Sequence, residues 1–161
     1  MMPPLVVGVV LLRGATATDR AFIDALAAQA FGTYGDYSGV LPEWLGDPRV
    51  QTVVADGAGG RSLGFAMLAL QRSRRPALGR GGELLAIAVV AEARRCGIGR
   101  HLLDEVERRA RAAHLRELRL STAATNVGAR RLYASRGFAV RAQVLRFYPS
   151  GQSALEMTKR L

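Results

Sequence analysis

Gly97 and Gly99 stand one residue apart among Arg94, Arg95 and Arg100, and an apolar helical repeat follows at once. Glycine lets a backbone bend sharply and approach a ligand closely. The first N–H groups of a helix have no intrahelical partner, and its N-terminus carries roughly half a positive charge. Strand, glycine turn and helix in that order can therefore bind an anion such as a phosphate. The arginines would add charge-assisted hydrogen bonds, while Cys96 would contribute its N–H rather than its thiol. The segment is not a P-loop, because no Gly-Lys-Ser/Thr follows. It is not a dinucleotide G-x-G-x-x-G either, because Leu102 takes the third glycine position. Taken alone, these residues fit both a phosphate cradle and a plain turn at a helix start. His101 and His114 have no partners at metal-ligand spacing and belong to the helix surface.

The elements around this turn follow from periodicity. Residues 83–90 form an apolar strand, covered on both faces. The helix after the glycines repeats Ile98, Leu102, Val106, Ala110 and Ala113 along one stripe. Asp104–Arg108, Glu105–Arg109 and Glu107–Arg111 are acid-then-base pairs four apart, each adding a few tenths of a kcal/mol. Residues 115–122 alternate as a half-buried strand. A short helix runs from an Asn126 N-cap to a Gly137 stop. Two final strands flank the turn at 149–152. Earlier in the chain, 5–13 reads as a first strand and 18–31 as a helix capped by Thr18, with Phe22, Leu26 and Ala30 on its stripe. Residues 41–47 hold a helical turn. Strands at 50–56 and 62–71 join through a glycine turn, and 72–82 is a basic loop. The order β-α-(α)-β-β-β-α-β-α-β-β describes one α/β domain over 1–161 with a mixed sheet.

Composition bounds the partners. The chain has 161 residues, 49% of them hydrophobic and 22% charged, which suits one globular domain with a real core. No apolar run reaches the roughly 18 residues of a membrane span. The apolar start lacks a basic leader region and a small-x-small cleavage site, so it reads as strand rather than signal peptide. A single cysteine excludes an internal disulfide framework and points to a reducing, cytoplasmic setting. The net charge of +10 favours anionic ligands. A nucleic-acid partner has no further support, because no aromatic-basic RNA motif or zinc pattern is present. A homodimer is compatible with the sequence and not specified by it.

The ordered set Ile87-Ala88-Val89, then Arg94-x-x-Gly97-x-Gly99, an amphipathic helix, a strand, Asn126, Leu132-Tyr133 and Gly137-Phe138 resembles the GCN5-related N-acetyltransferase (GNAT) superfamily. The motifs cover roughly 83–140, and element order covers the remainder. Ala91 departs from the proline that many members carry after the strand. The resemblance implies a single α/β domain with a mixed, mostly antiparallel sheet and helices on both faces. It also implies a cleft for acetyl-CoA between splayed central strands. It places Ile87, Ala88 and Val89 along the pantetheine arm and wraps Arg94, Arg95, Cys96, Gly97, Ile98, Gly99 and Arg100 around the pyrophosphate. Asn126 would hydrogen-bond the pantetheine, and Tyr133 would protonate the leaving thiolate. A phenol stays protonated at neutral pH, so the chemistry suits it.

Within the superfamily the chain looks most like ribosomal-protein N-terminal (alanine) acetyltransferases. These carry a strand glutamate five residues before the asparagine, where this chain has Ser121. Glu83, at the start of the "IAV" strand, corresponds to the base of the histone-acetyltransferase branch. Strict alternation would put it on one face with Leu85, Ile87 and Val89. The acceptor, a primary amine, would lie between the first helical region and the last hairpin, against Tyr34, Trp44 and Tyr148. The activity expected is acetyl transfer to a protein N-terminus, a lysine or a small amine. The alternatives are a non-catalytic acyl-CoA-binding module, which Ser121 favours, and a basic RNA- or ribosome-binding domain.

Overall fold

The computed structural model describes residues 9–37, 39–70 and 81–161. Seven strands lie in one sheet of order β1-β2-β3-β4-β5-β7-β6. In chain order the elements are β1 (Leu11–Gly14), α1 (Arg20–Phe31), α2 (Val40–Gly46), β2 (Val50–Asp56) and β3 (Ser62–Leu70). They continue with β4 (Gly81–Val89), α3 (Ile98–Ala112), β5 (Glu117–Ala123), α4 (Val127–Ser135), β6 (Ala139–Val144) and β7 (Ala154–Arg160). Every neighbouring pair is antiparallel except β4 and β5. That parallel pair is joined by α3, as a crossover requires. The domain is α/β with a mixed sheet, as the sequence predicts.

Alternation along the strands divides the interior into two cores. On one face Val53, Ala55, Ala66 and Leu68 pack with Ile98, Leu102, Leu103 and Val106 of α3, together with Tyr133 and Phe138. On the other, Val54, Phe65 and Met67 pack with Ile23, Leu26 and Ala27 of α1 and Leu41 of α2. Each buried aliphatic side chain of this size contributes about 1.5–3 kcal/mol. The central strands are therefore apolar on both sides, and helices cover both faces.

Two features of β4 position the site. Its pairing with β5 runs only from Gly81↔Glu117 to Leu84↔Leu120. Past Leu84 the two strands diverge, and one edge of β4 is left without a strand partner. Its pairing with β3 skips Leu85, since Leu68 faces Leu84 and Met67 faces Ala86. A bulge of this kind inserts one residue and reverses alternation beyond it.

The bulge corrects the expected common face of Glu83, Leu85, Ile87 and Val89. Leu84 belongs to the α3 core and Leu85 packs against the α1–α2 core, while beyond the bulge Ile87 and Val89 pack on the α3 side. Glu83, the neighbour of Leu84 and the register partner of Ala69, therefore lies on the α1–α2 face, opposite Ile87 and Val89.

Other expectations shift by a few residues. The first strand begins at Leu11, and residues 5–8 of the expected strand lie outside the described residues. Gly81 and Gly82 belong to β4 rather than a loop, because β3 and β5 both pair with them. Residues 72–80 of that expected loop lie outside the described residues. Thr18 is not the helix cap: a 3-10 turn over Ala17–Asp19 precedes α1, and the Thr16 N–H donates to Asp19 Oδ2 at 2.7 Å. The buried residues of α1 are Ile23, Leu26 and Ala27, with Phe22 and Ala30 only partly buried beside them. Asp104 pairs with Arg136 of the α4 C-terminus at 3.1 Å, not with Arg108, which turns to Glu105 at 2.6 Å.

Candidate active site

The turn between β4 and α3 alternates backbone hands. Arg95 has φ 63 and Gly97 has φ 80. Successive left- and right-handed residues turn consecutive N–H groups inward as an anion-binding nest. Gly97 caps α3, whose first hydrogen bond runs from the His101 N–H to Gly97 O at 3.1 Å. The N–H groups ahead of it have no intrahelical partner. Arg94 is tied back to β4, its Nε donating to Val89 O at 3.2 Å. Cys96 is exposed and its thiol faces its own turn, 3.6 Å from Arg94 O. α4 closes the other side: a Cβ on Gly99 would sit 3.3 Å from Leu132 Cδ2.

Asn126 caps α4 by accepting from the Ala129 N–H at 3.2 Å, which occupies Oδ1 and leaves its Nδ2 hydrogens as donors. About two turns later, Tyr133 is 5% exposed. Its ring meets Phe138 edge-on at 6.0 Å between centroids. Burial, and secondarily the nearby Tyr148, pushes its phenol well above the usual tyrosine range. The group is thus held protonated and able to donate.

A cavity of about 1430 Å³ runs through the gap between β4 and β5. Its α3–α4 end is lined by Arg94, Arg95, Gly97, Ile98, Gly99, Arg100, Asn126 and Tyr133. Ile87, Ala88 and Val89 form the free strand edge along it, and Glu83 and Ser121 line its walls. Its α1–α2 end is lined by Phe31, Tyr34, Tyr37, Trp44, Phe147 and Tyr148. The chain has four tyrosines and one tryptophan, and all of them line this cavity.

The aromatic end is built by two loops that touch. Ser150 N–H donates to Tyr34 O at 3.1 Å. The Tyr34 and Tyr148 rings lie 5.1 Å apart, and Phe147 meets Tyr148 edge-on at 5.0 Å. Burial pushes the Tyr148 phenol up to about 12, with Tyr37 and Tyr34 adding to the shift. Burial also raises Tyr37.

The structure thus brings every candidate catalytic, cofactor-binding and acceptor residue to one cavity, apart from Cys96, which is exposed. The sequence reading did not find Arg131 and Arg136, which α4 adds to the α3 end, or Phe31 and Thr122. An arginine on a short helix carries no local mark of what it faces. Only the docking of α4 beside α3 aims these two.

The shape and chemistry suit an acyl-CoA: a phosphate nest with arginines, an open strand edge for the amides of the arm, and a buried proton donor near the strand gap. Several solved structures share the fold. Arabidopsis thaliana NAA60, solved with a bisubstrate analogue, superposes with a TM-score of 0.82 at 18% identity, over 94% of this chain and 98% of that one. Ard1 from Thermoplasma volcanium gives 0.81 at 21% identity, over 94% and 97%. A ribosomal-protein-alanine N-acetyltransferase from Brucella melitensis gives 0.80 at 24% identity, over 94% and 99%. No curated protein matches the sequence. The sequence profile of the Acetyltransferase (GNAT) family matches residues 7–138, and the chain belongs to that family.

Proposed function

We propose that this N-acetyltransferase acetylates a primary amine by direct attack of the amine on the thioester of acetyl-CoA. The observation that carries the reading is the cavity through the sheet, with a phosphate nest at one end and an aromatic amine pocket at the other.

Acetyl-CoA supplies an activated acetyl group when bound. The nest at Arg95–Gly97 and the N-terminus of α3 hold its pyrophosphate, and the β4 edge from Ile87 to Val89 pairs with its amide arm. The Asn126 Nδ2 hydrogens donate to the same arm. The β4 edge that β5 leaves unpaired past Leu84 offers backbone N–H groups to stabilise the negative charge that develops on oxygen during acyl transfer. Tyr133, kept protonated by burial, donates its proton to the departing thiolate. Glu83, on the cavity wall, takes the proton released by the amine. Tyr34, Trp44 and Tyr148 hold the acceptor, which is a protein N-terminus, a lysine or a small amine.

The test is thiol release from acetyl-CoA with a panel of amines, comparing the wild type with Tyr133→Phe. The expected result is amine-dependent release that falls about 10²-fold or more in the variant, with acetyl-CoA binding intact. Tight acetyl-CoA binding with no turnover on any amine would establish the non-catalytic alternative instead.

A further inference from the structure

Ser121 occupies a particular level of the gap. Glu83 pairs with Arg119 and Leu84 with Leu120, so Ser121 is the first β5 residue beyond the paired stretch, level with the bulge at Leu85. It lines the cavity. On its far side it is paired with Glu156 of β7. Residues directly opposite in an antiparallel pair share a face, with Cβ atoms about 5 Å apart. Leu118, Leu120, Leu155 and Met157 fill the α3 core, so Ser121 and Glu156 lie on the acceptor side. Serine is too short to fill the space above β5; Glu156 does not line the cavity in its observed rotamer, and a rotation of its side chain over Ser121 brings the carboxylate to the wall.

Glu156 also stands apart in its pairing. The chain carries 23 basic and 13 acidic residues. Asp19, Asp56, Glu92, Glu105 and Glu107 all hold arginine or lysine partners. Glu156 is half-buried, yet among the described residues it has no ion-pair or hydrogen-bond partner. On its face, Arg119 sits by Glu117 at 3.9 Å and over Gly81. Its β6 partner is Ala142, and Arg141, the extra residue of the β6 bulge beside it, makes no ion pair with Glu156. A half-buried carboxylate left unpaired in a strongly basic protein calls for a cation from outside.

We propose that Glu156 is the positioning residue for the acceptor: reaching over Ser121, its carboxylate receives the ammonium group of the incoming amine and holds it at the level of the bulge. The acceptor class is accordingly an amine that arrives as its cation. This inference rests on the amine-acetylating reading above and adds to it the residue that selects the acceptor.

The experiment is steady-state kinetics with acetyl-CoA and four amines: phenethylamine, n-hexylamine, spermidine and a tetrapeptide with a free N-terminus. With the best of these acceptors, Glu156→Gln should raise the acceptor KM about tenfold or more, the loss expected for one hydrogen bond to a charged group. The KM for acetyl-CoA and the kcat at saturating amine should stay within about twofold of wild type. Glu156→Asp should fall between the two. Adding Ser121→Glu to Glu156→Gln restores a carboxylate on the same face and should recover the acceptor KM. A Glu156→Gln acceptor KM equal to that of the wild type overturns the proposal, and so does an equal loss in both KM values, which marks a structural role. If the wild type transfers to none of the amines, the acetylation reading falls and this one with it. Transfer by the wild type with an unmoved acceptor KM sinks this inference alone.

Discussion

Tyr133 and Glu83 reach the cavity by different routes, and their tests differ accordingly. Tyr133 comes from a helix whose N-cap also faces the cavity, and burial, with Tyr148 adding to it, holds its phenol protonated. Glu83 comes from a strand still hydrogen-bonded on both sides, where its register partners are Ala69 and Arg119. Its place at the paired end of the gap holds its backbone firmly, which a proton acceptor requires. Replacing it by glutamine keeps the shape and removes the basicity. Glu83→Gln should lower kcat/KM by about 10²-fold and change its pH profile. A kcat/KM profile unchanged from pH 6 to 9 would take Glu83 out of the mechanism. Because Glu156 is assigned to binding, the two variants should separate: Glu83→Gln in the pH profile, Glu156→Gln in the acceptor KM.

At the scale of elements, the acceptor end depends on a contact between two loops. The α1–α2 loop meets the β6–β7 loop through Tyr34, Gly35, Tyr148, Pro149 and Ser150. A Cβ on Gly35 would stand 2.7 Å from Pro149 Cγ. The proline ring cannot swing away as a flexible side chain does, so a methyl group there must push the loops apart. Gly35→Ala should therefore raise the acceptor KM several-fold and leave the affinity for acetyl-CoA unchanged, because the nest lies at the other end of the cavity. Isothermal titration with CoA, set beside acceptor kinetics, separates the two ends. A variant that weakens CoA binding as much as acceptor binding would show that the loops support the whole sheet.

Across the whole molecule, the first strand is anchored by charge as well as by its ladder. Arg13 of β1 forks onto Asp19 ahead of α1 at 2.8 Å and onto Asp56 of β2 at 2.6 Å. Ser62 Oγ completes the cluster with a hydrogen bond to Asp56 at 3.0 Å. The Arg13 guanidinium lowers the Asp19 carboxyl to about 2, against the opposing effect of burial. A carboxylate depressed by folding contributes stability above its unfolded pKa near 4, and loses it as pH falls through its folded value. Asp19→Asn should cost about 2 kcal/mol at pH 7. The gap from wild type should close as pH drops from about 4 to 2. Urea unfolding at pH 7, 4 and 2.5 checks this, and a gap independent of pH would show that packing rather than charge holds the strand. Glu105, lowered to about 2 by Arg108 and Arg109, steepens the same acid loss.

Local sequence determined the cradle, the helix behind it and the order of elements. Two glycines among arginines, a 3.6-residue apolar repeat and an asparagine cap act through bonds within a few residues, so they can be read in one dimension. The same locality made Tyr133, Asn126 and the "IAV" strand recognisable as a set. Tertiary structure decided what pairing across distance controls. The bulge at Leu85, set by the register of β4 against β3, moved Glu83 to the face opposite Ile87 and Val89. The pairing of β3 and β5 with Gly81 and Gly82 turned part of an expected loop into strand. Docking of α4 aimed Arg131 and Arg136 at the cavity. The register of β7 put Glu156 beside Ser121, two residues separated in sequence by a helix and a hairpin. A strand's partner is chosen by the summed burial of both strands, and no local pattern in either one encodes it.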